Sequence, residues 1–340
     1  MKRALSVLLC AVLLLTLSLQ AFALPLNSGI DALRDEFYFG VGPDSNGVVI
    51  DYYAFKPETL RPGVKYPLVV WLHGLISGGY PGRQITRNDI SYWASDEFQA
   101  RFAAGGAFIL APRSPEPVAD WADYLKAPLK NTIDAFIHEN DGLIDTTRIY
   151  IGGLSMGGKM TLKMIAAYPE MFAAGFPCSP YFALPDSVAK GVANTPIWQL
   201  SSKNDVYMGY NTWIKPDWDQ LAANSNRKND IRITIFDTAL KPDGSRPGTT
   251  HDTWHAATYD MFMFDGREFT GSITLNGNGE RVTLTYPNGM ISWLNGFSTS
   301  YGTAPSGKTG IAGFFYNLYT NFIALIARIA KALGLKGMLG

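Results

Sequence analysis

Two hydrophobic rhythms alternate along the chain. Short unbroken apolar runs, bounded by Gly, Pro, Asn or Asp, occupy residues 48–55 (VVIDYYAF), 67–73 (PLVVWLH), 107–111, 148–152, 173–176, 197–200 and 231–236. Runs of this length, rich in β-branched and aromatic residues, predict strands buried on both faces. Over 129–138 and 156–168 the apolar positions recur instead at steps of three and four, which predicts helices. Strands alternating with helices predict an α/β architecture, a mostly parallel sheet with helices on both faces.

Later segments follow other patterns. Residues 269–285 (FTGSITLNGNGERVTLT) alternate with period two around Asn276-Gly277-Asn278-Gly279, which predicts a β-hairpin ornamenting the main domain. A last helix of that domain is expected at 290–294, followed by a Gly/Ser/Thr-rich linker over 298–313. In 314–340, Phe315, Leu318, Phe322, Leu325, Ile329 and Leu333 share one helical face, and Asn317, Asn321, Arg328 and Lys331 the other. This amphipathic helix has a basic polar face. Its apolar stripe suits docking on the protein's own surface, a membrane surface or a partner protein; Arg328 and Lys331 argue against a membrane span.

The first 23 residues read differently again. Met1-Lys2-Arg3, an apolar run over 4–19 and Ala21-Phe22-Ala23 form the basic, hydrophobic and small-x-small regions of a signal peptide, with removal expected after Ala23. The expected location is outside the cell or at its surface, with one catalytic domain over 24–297. Loss of the leader removes Cys10 and leaves Cys178 as a single thiol, so no internal disulfide is expected. Beside Phe176 and Pro177, Cys178 reads as a small buried side chain rather than a second nucleophile. The 340 residues suffice for one large domain, and 29 basic residues balance 29 acidic ones. That balance leaves no electrostatic footprint for nucleic acid, which is dropped as a partner.

The chemistry centres on residues 153–158 (GLSMGG), lying directly after a predicted strand and before a predicted helix. A serine between small residues at such a turn has the context of a nucleophile elbow, with its side chain clear of the sheet and a helix N-terminus facing developing negative charge. Ser155 is therefore the candidate nucleophile. The run Trp71-Leu72-His73-Gly74-Leu75 ends an earlier strand, where such folds supply a second oxyanion donor. The donors are assigned to the backbone N–H groups of Met156 and Leu75, with Gly74 letting the backbone approach the substrate. His73 precedes the serine, against the Ser, Asp, His order of this arrangement, and is expected to shape the oxyanion loop.

His138 also lies upstream, on a helix. Downstream, His251 follows the loop residues Gly248-Thr249-Thr250 and is preferred as the base over His255, one turn further on. The orienting acid is expected in the turn after the strand at 197–200, which selects Asp205, with Asp237 as runner-up.

With these residues in place, the chain resembles secreted α/β-hydrolase esterases related to polyhydroxybutyrate depolymerases, feruloyl and acetylxylan esterases and their predicted-peptidase relatives. The resemblance covers residues 48–297 and rests on residues 66–74 (YPLVVWLHG), on 148–150 (RIY) leading into GLSMGG, and on His251-Asp252-Thr253-Trp254. It implies His251 as the catalytic histidine, Asp205 as its acid, and ester cleavage without metal or cofactor. The substrate would be a small-molecule or polymeric ester. Trp254, with Trp121, Tyr207 and Trp213, is expected to line the cleft. Two other readings stay open: a serine peptidase of the same fold, and a non-catalytic surface-binding protein working through its C-terminal helix.

Overall fold

A computed structural model describes residues 33–75, 81–115, 120–181, 183–241, 243–260, 263–264, 267–268, 272–284 and 289–299. The expected signal peptide, linker beyond residue 299 and C-terminal amphipathic helix lie outside the described residues.

Eleven strands are described: β1 (Tyr38–Val41), β2 (Asp51–Phe55), β3 (Tyr66–Leu72), β4 (Phe108–Pro112), β5 (Ile144–Leu154), β6 (Ala174–Cys178), β7 (Trp198–Ser202), β8 (Arg232–Phe236), β9 (Met263–Phe264), β10 (Arg267–Glu268) and β11 (Ile273–Asn276). Nine of them form one sheet in the order β1-β2-β4-β3-β5-β6-β7-β8-β11, and β9 and β10 pair separately. From β4 to β8 neighbours run parallel, while β1, β2 and β11 add antiparallel edges.

The helices are α1 (Arg83–Thr86), α2 (Asp96–Gln99), α3 (Lys126–Glu139), α4 (Met156–Ala167), α5 (Asp186–Gly191), α6 (Lys215–Asn224), α7 (Trp254–Thr258) and α8 (Met290–Leu294). The unbroken apolar runs have the burial they imply. All seven residues of β3 are buried, and successive side chains enter opposite cores. Leu68, Val70 and Leu72 meet α3 and α4 side chains such as Phe136 and Met160 on one face. Val69 and Trp71 meet Trp93, Phe98, Trp254 and Trp293 on the other. Helices thus cover both faces, and the chain has the α/β-hydrolase fold.

The hairpin's first arm, β11, joins β8 antiparallel, from Ile273 opposite Ile235 to Asn276 opposite Arg232, so the hairpin extends the main sheet. Its turn is closed by Asn276, whose side-chain oxygen accepts from the N–H groups of Asn278 and Glu280. Strand β1 forms the opposite edge, with burial only partial at Gly40 and the other positions exposed.

Candidate active site

The parallel strands place their C-terminal ends along one edge of the sheet, where α/β folds collect their ligands. At the end of β5 the chain turns directly into α4, and the turning residue is Ser155, with φ 57° and ψ −112°. A non-glycine residue there is strained, and the strain persists because its surroundings determine it. The Ser155 N–H donates to the Cys178 carbonyl at 2.9 Å, and its own carbonyl accepts from Lys159 N–H at 2.9 Å and Tyr181 N–H at 3.1 Å. The flanking glycines permit the close approach. A Cβ on Gly157 would lie 2.0 Å from the Leu72 carbonyl oxygen, and one on Gly153 would lie 2.5 Å from the same atom. The start of α4 is therefore pressed against the end of β3.

That contact also carries the candidate oxyanion loop. His73 is fully buried behind it. The Ser114 N–H donates to His73 Nε2 at 3.0 Å, so the proton sits on Nδ1, which donates to the Gly74 carbonyl at 2.8 Å. Burial lowers the His73 pKa to about 4, chiefly by desolvation, and keeps the ring neutral. Trp121 packs on the same ring and donates its indole N–H to the His73 carbonyl at 3.0 Å. His73 thus braces the backbone at residues 73–74. Gly74 runs beside Leu154, and Leu75 is half exposed.

The second half of the site comes from the ends of β7 and β8. Asp205 follows β7, and its Oδ2 lies 2.7 Å from His251 Nδ1. Its Oδ1 accepts from the N–H groups of Tyr207 at 2.8 Å and Met208 at 2.9 Å. Burial alone would raise the Asp205 pKa, but the hydrogen bond and charge of His251 and the two backbone donors outweigh it, and the pKa is lowered. An ionised carboxylate only accepts, so Nδ1 of His251 is the donor in this pair and Nε2 is the nitrogen that points away from Asp205.

Further hydrogen bonds knit these segments together. Thr250 Oγ1 donates to the Asn204 carbonyl, tying the histidine loop to the aspartate turn. Thr253 Oγ1 bonds Ser179 Oγ at 3.0 Å and the Leu200 carbonyl at 3.3 Å. Since Ser179 follows the Cys178 whose carbonyl holds Ser155, the serine and histidine segments are anchored on the same strand ends.

The remaining candidates sit elsewhere. Asp237 is exposed and offers its backbone carbonyl to Ser202 and Asn204. His255 is buried on α7 against Trp254, with neither ring nitrogen hydrogen-bonded, and desolvation lowers its pKa to about 4. His138 is exposed on α3. Of the aromatic residues expected in the cleft, Trp121 is buried behind His73, and Trp254 is buried with its indole N–H on Asp252 at 3.1 Å. Only Tyr207 and Trp213 present substantial surface. Cys178 is buried in the core, and desolvation pushes its thiol pKa well up.

Sequence pattern did not single out Thr250, Thr253, Ser179 or the Tyr207 and Met208 amides. Their roles depend on which strand ends become neighbours, although the spacing from Asp205 to Tyr207 and Met208 is that of an Asx turn.

The profile of the phospholipase/carboxylesterase family matches residues 119–226. A bifunctional acetylxylan esterase/xylanase from Neocallimastix patriciarum is 24% identical over 210 residues, which cover 60% of this chain and 28% of that protein. The crystal structure of a thermostable esterase matches with a TM-score of 0.55 and 28% identity, over 67% of this chain and 61% of the other. The chain spans less than two thirds of either relative's length. The chain has the α/β-hydrolase fold and is similar in sequence and structure to carboxylesterases.

Proposed function

We propose that the protein is an exported serine hydrolase that cleaves carboxylic esters through an acyl-enzyme, with Ser155, His251 and Asp205 as its triad. The observation that carries this reading is the pairing of two independent specialisations on one sheet edge. One is a serine held at φ 57° between β5 and α4; the other is a buried aspartate whose acceptor pairs His251 Nδ1. The kinship to esterases supports an ester over other acyl bonds.

In the reaction, His251 Nε2 takes the Ser155 Oγ proton as the oxygen attacks the ester carbonyl. Negative charge gathers on the carbonyl oxygen, where the N–H groups of Met156 and Leu75 stabilise it, aided by the N-terminal end of α4. His251 then gives the proton to the leaving alcohol, and Asp205 stabilises the imidazolium in between. A water deprotonated by His251 attacks the acyl-enzyme, releases the acid and restores Ser155. The first substrates to try are short acyl esters on a polysaccharide, by kinship to the acetylxylan esterase.

The test is labelling of purified protein with a fluorophosphonate, followed by mass mapping of the labelled peptide and turnover of a chromogenic ester. Modification at Ser155 is expected, and Ser155→Ala should lower ester turnover by about 10⁴-fold or more. Full activity of Ser155→Ala would overturn the proposal. Faster turnover of an aminoacyl anilide than of the matching ester would move the assignment from ester to peptide hydrolysis.

A further inference from the structure

The aspartate turn does more than supply Asp205. The Asp205–His251 hydrogen bond fixes one nitrogen of the imidazole but leaves the ring free to swing about that axis. His251 lies on a surface loop, yet its side chain is only 7% exposed. Its ring meets that of Tyr207 edge to face, with centroids 5.0 Å apart and planes at 84°. Tyr207 is itself 59% exposed and is not packed into either core. Its backbone N–H is one of the two donors that hold Asp205 Oδ1. One residue therefore engages both members of the pair: its main chain fixes the carboxylate, and its ring lies against the imidazole.

We propose that Tyr207 is a positioning residue for His251, whose ring restrains the imidazole so that Nε2 stays directed at Ser155. This rests on the triad assignment above. The ring acts through shape and its π-system, and its hydroxyl is not required. Tyr207→Phe should therefore match the wild type, whereas Tyr207→Ala keeps the backbone donor to Asp205 and removes only the restraint. The contact is of the size that sets rates by about three- to tenfold.

The experiment measures kcat and KM for a small acetyl ester, and the second-order rate of fluorophosphonate inactivation, for wild type, Tyr207→Phe and Tyr207→Ala, with thermal melting as a control on folding. In Tyr207→Ala, kcat and the inactivation rate are expected to fall together by about three- to tenfold with KM unchanged, and Tyr207→Phe should restore both. A raised KM with unchanged inactivation rate would make Tyr207 a substrate contact and overturn the inference. Wild-type rates in Tyr207→Ala, or equal losses in Tyr207→Phe, would overturn it as well. Failure of the wild type to react at Ser155 would instead refute the triad assignment, so the two failures are distinguishable.

Discussion

The two halves of the candidate site are built by different physics. The serine half, residues 72–75 and 153–158, is held by main-chain contact: strand end pressed against helix start, with glycines where any side chain would collide and a buried neutral His73 bracing the loop behind. The acid–base half, residues 204–208 and 249–254, is held by side-chain hydrogen bonds across loops, among them Asp205 to His251 and Thr250 to Asn204. The first half tolerates no change of shape. The second tolerates shape changes but not the loss of a donor or acceptor. A buried backbone packing cannot drift, so it suits the strained nucleophile. Hydrogen-bonded loops can be retuned residue by residue, which suits a base whose proton position must be set.

Substitutions can sharpen that contrast. The largest effect in the acid–base half is expected from Asp205→Asn, which keeps the size but offers an amide to His251. The imidazole can then settle in the wrong tautomer, and kcat should fall by about 10³–10⁴-fold with little change in the melting temperature. An unchanged kcat would break the assignment of Asp205. In the serine half, Gly157→Ala should act through the fold: its Cβ would meet the Leu72 carbonyl at 2.0 Å, so β3 and α4 must separate. A loss of about 1–3 kcal/mol in denaturant unfolding is expected, with activity falling alongside. A stable Gly157→Ala with full activity would show that the contact is softer than its geometry implies.

The smallest expected effect concerns His255, which neither half uses. Its folded pKa of about 4 lies below the ordinary 6.5, so the unfolded chain takes up a proton first as the pH falls. Its contribution to stability is therefore intact above pH 6.5 and is lost as the pH falls from 6.5 to 4. His255→Leu removes two ring nitrogens without partners, and at pH 7 the protein should be unchanged or stabilised by about 1 kcal/mol. Between pH 6.5 and 4 its stability should decline less steeply than that of the wild type. Equal pH slopes in urea unfolding would contradict the burial argument.

The legible parts of the sequence were those written in local rhythm. Strands β3, β5 and β8 showed as apolar runs, and α3 and α4 as three-four repeats, to within a few residues. The elbow glycines flanking Ser155 were legible because a tight strand-to-helix turn demands them. Edge strand β1 was not, although Tyr38, Phe39 and Val41 favour strands, because the run is short and broken by Gly40, and its pairing partner β2 is what makes it a strand. The aromatics expected in the cleft divide between buried and exposed positions. Trp121 and Tyr207 carry the same local signal, yet one is enclosed behind His73 and the other covers His251, and only the order of strands across the sheet decides which. Placing β11 against β8 likewise required a partner 40 residues away, which hairpin periodicity cannot supply.

The geometry of Ser155 has a cost that bears on how the protein could change. Holding a non-glycine residue at φ 57° and ψ −112° costs about 1–3 kcal/mol, which glycine, lacking a Cβ, would largely recover. Drift toward thermal robustness alone would thus favour glycine at position 155, as it favours removal of any strained side chain. If Ser155 is the nucleophile proposed above, a serine there represents stability surrendered for reactivity, set where glycines press the main chain against the end of β3.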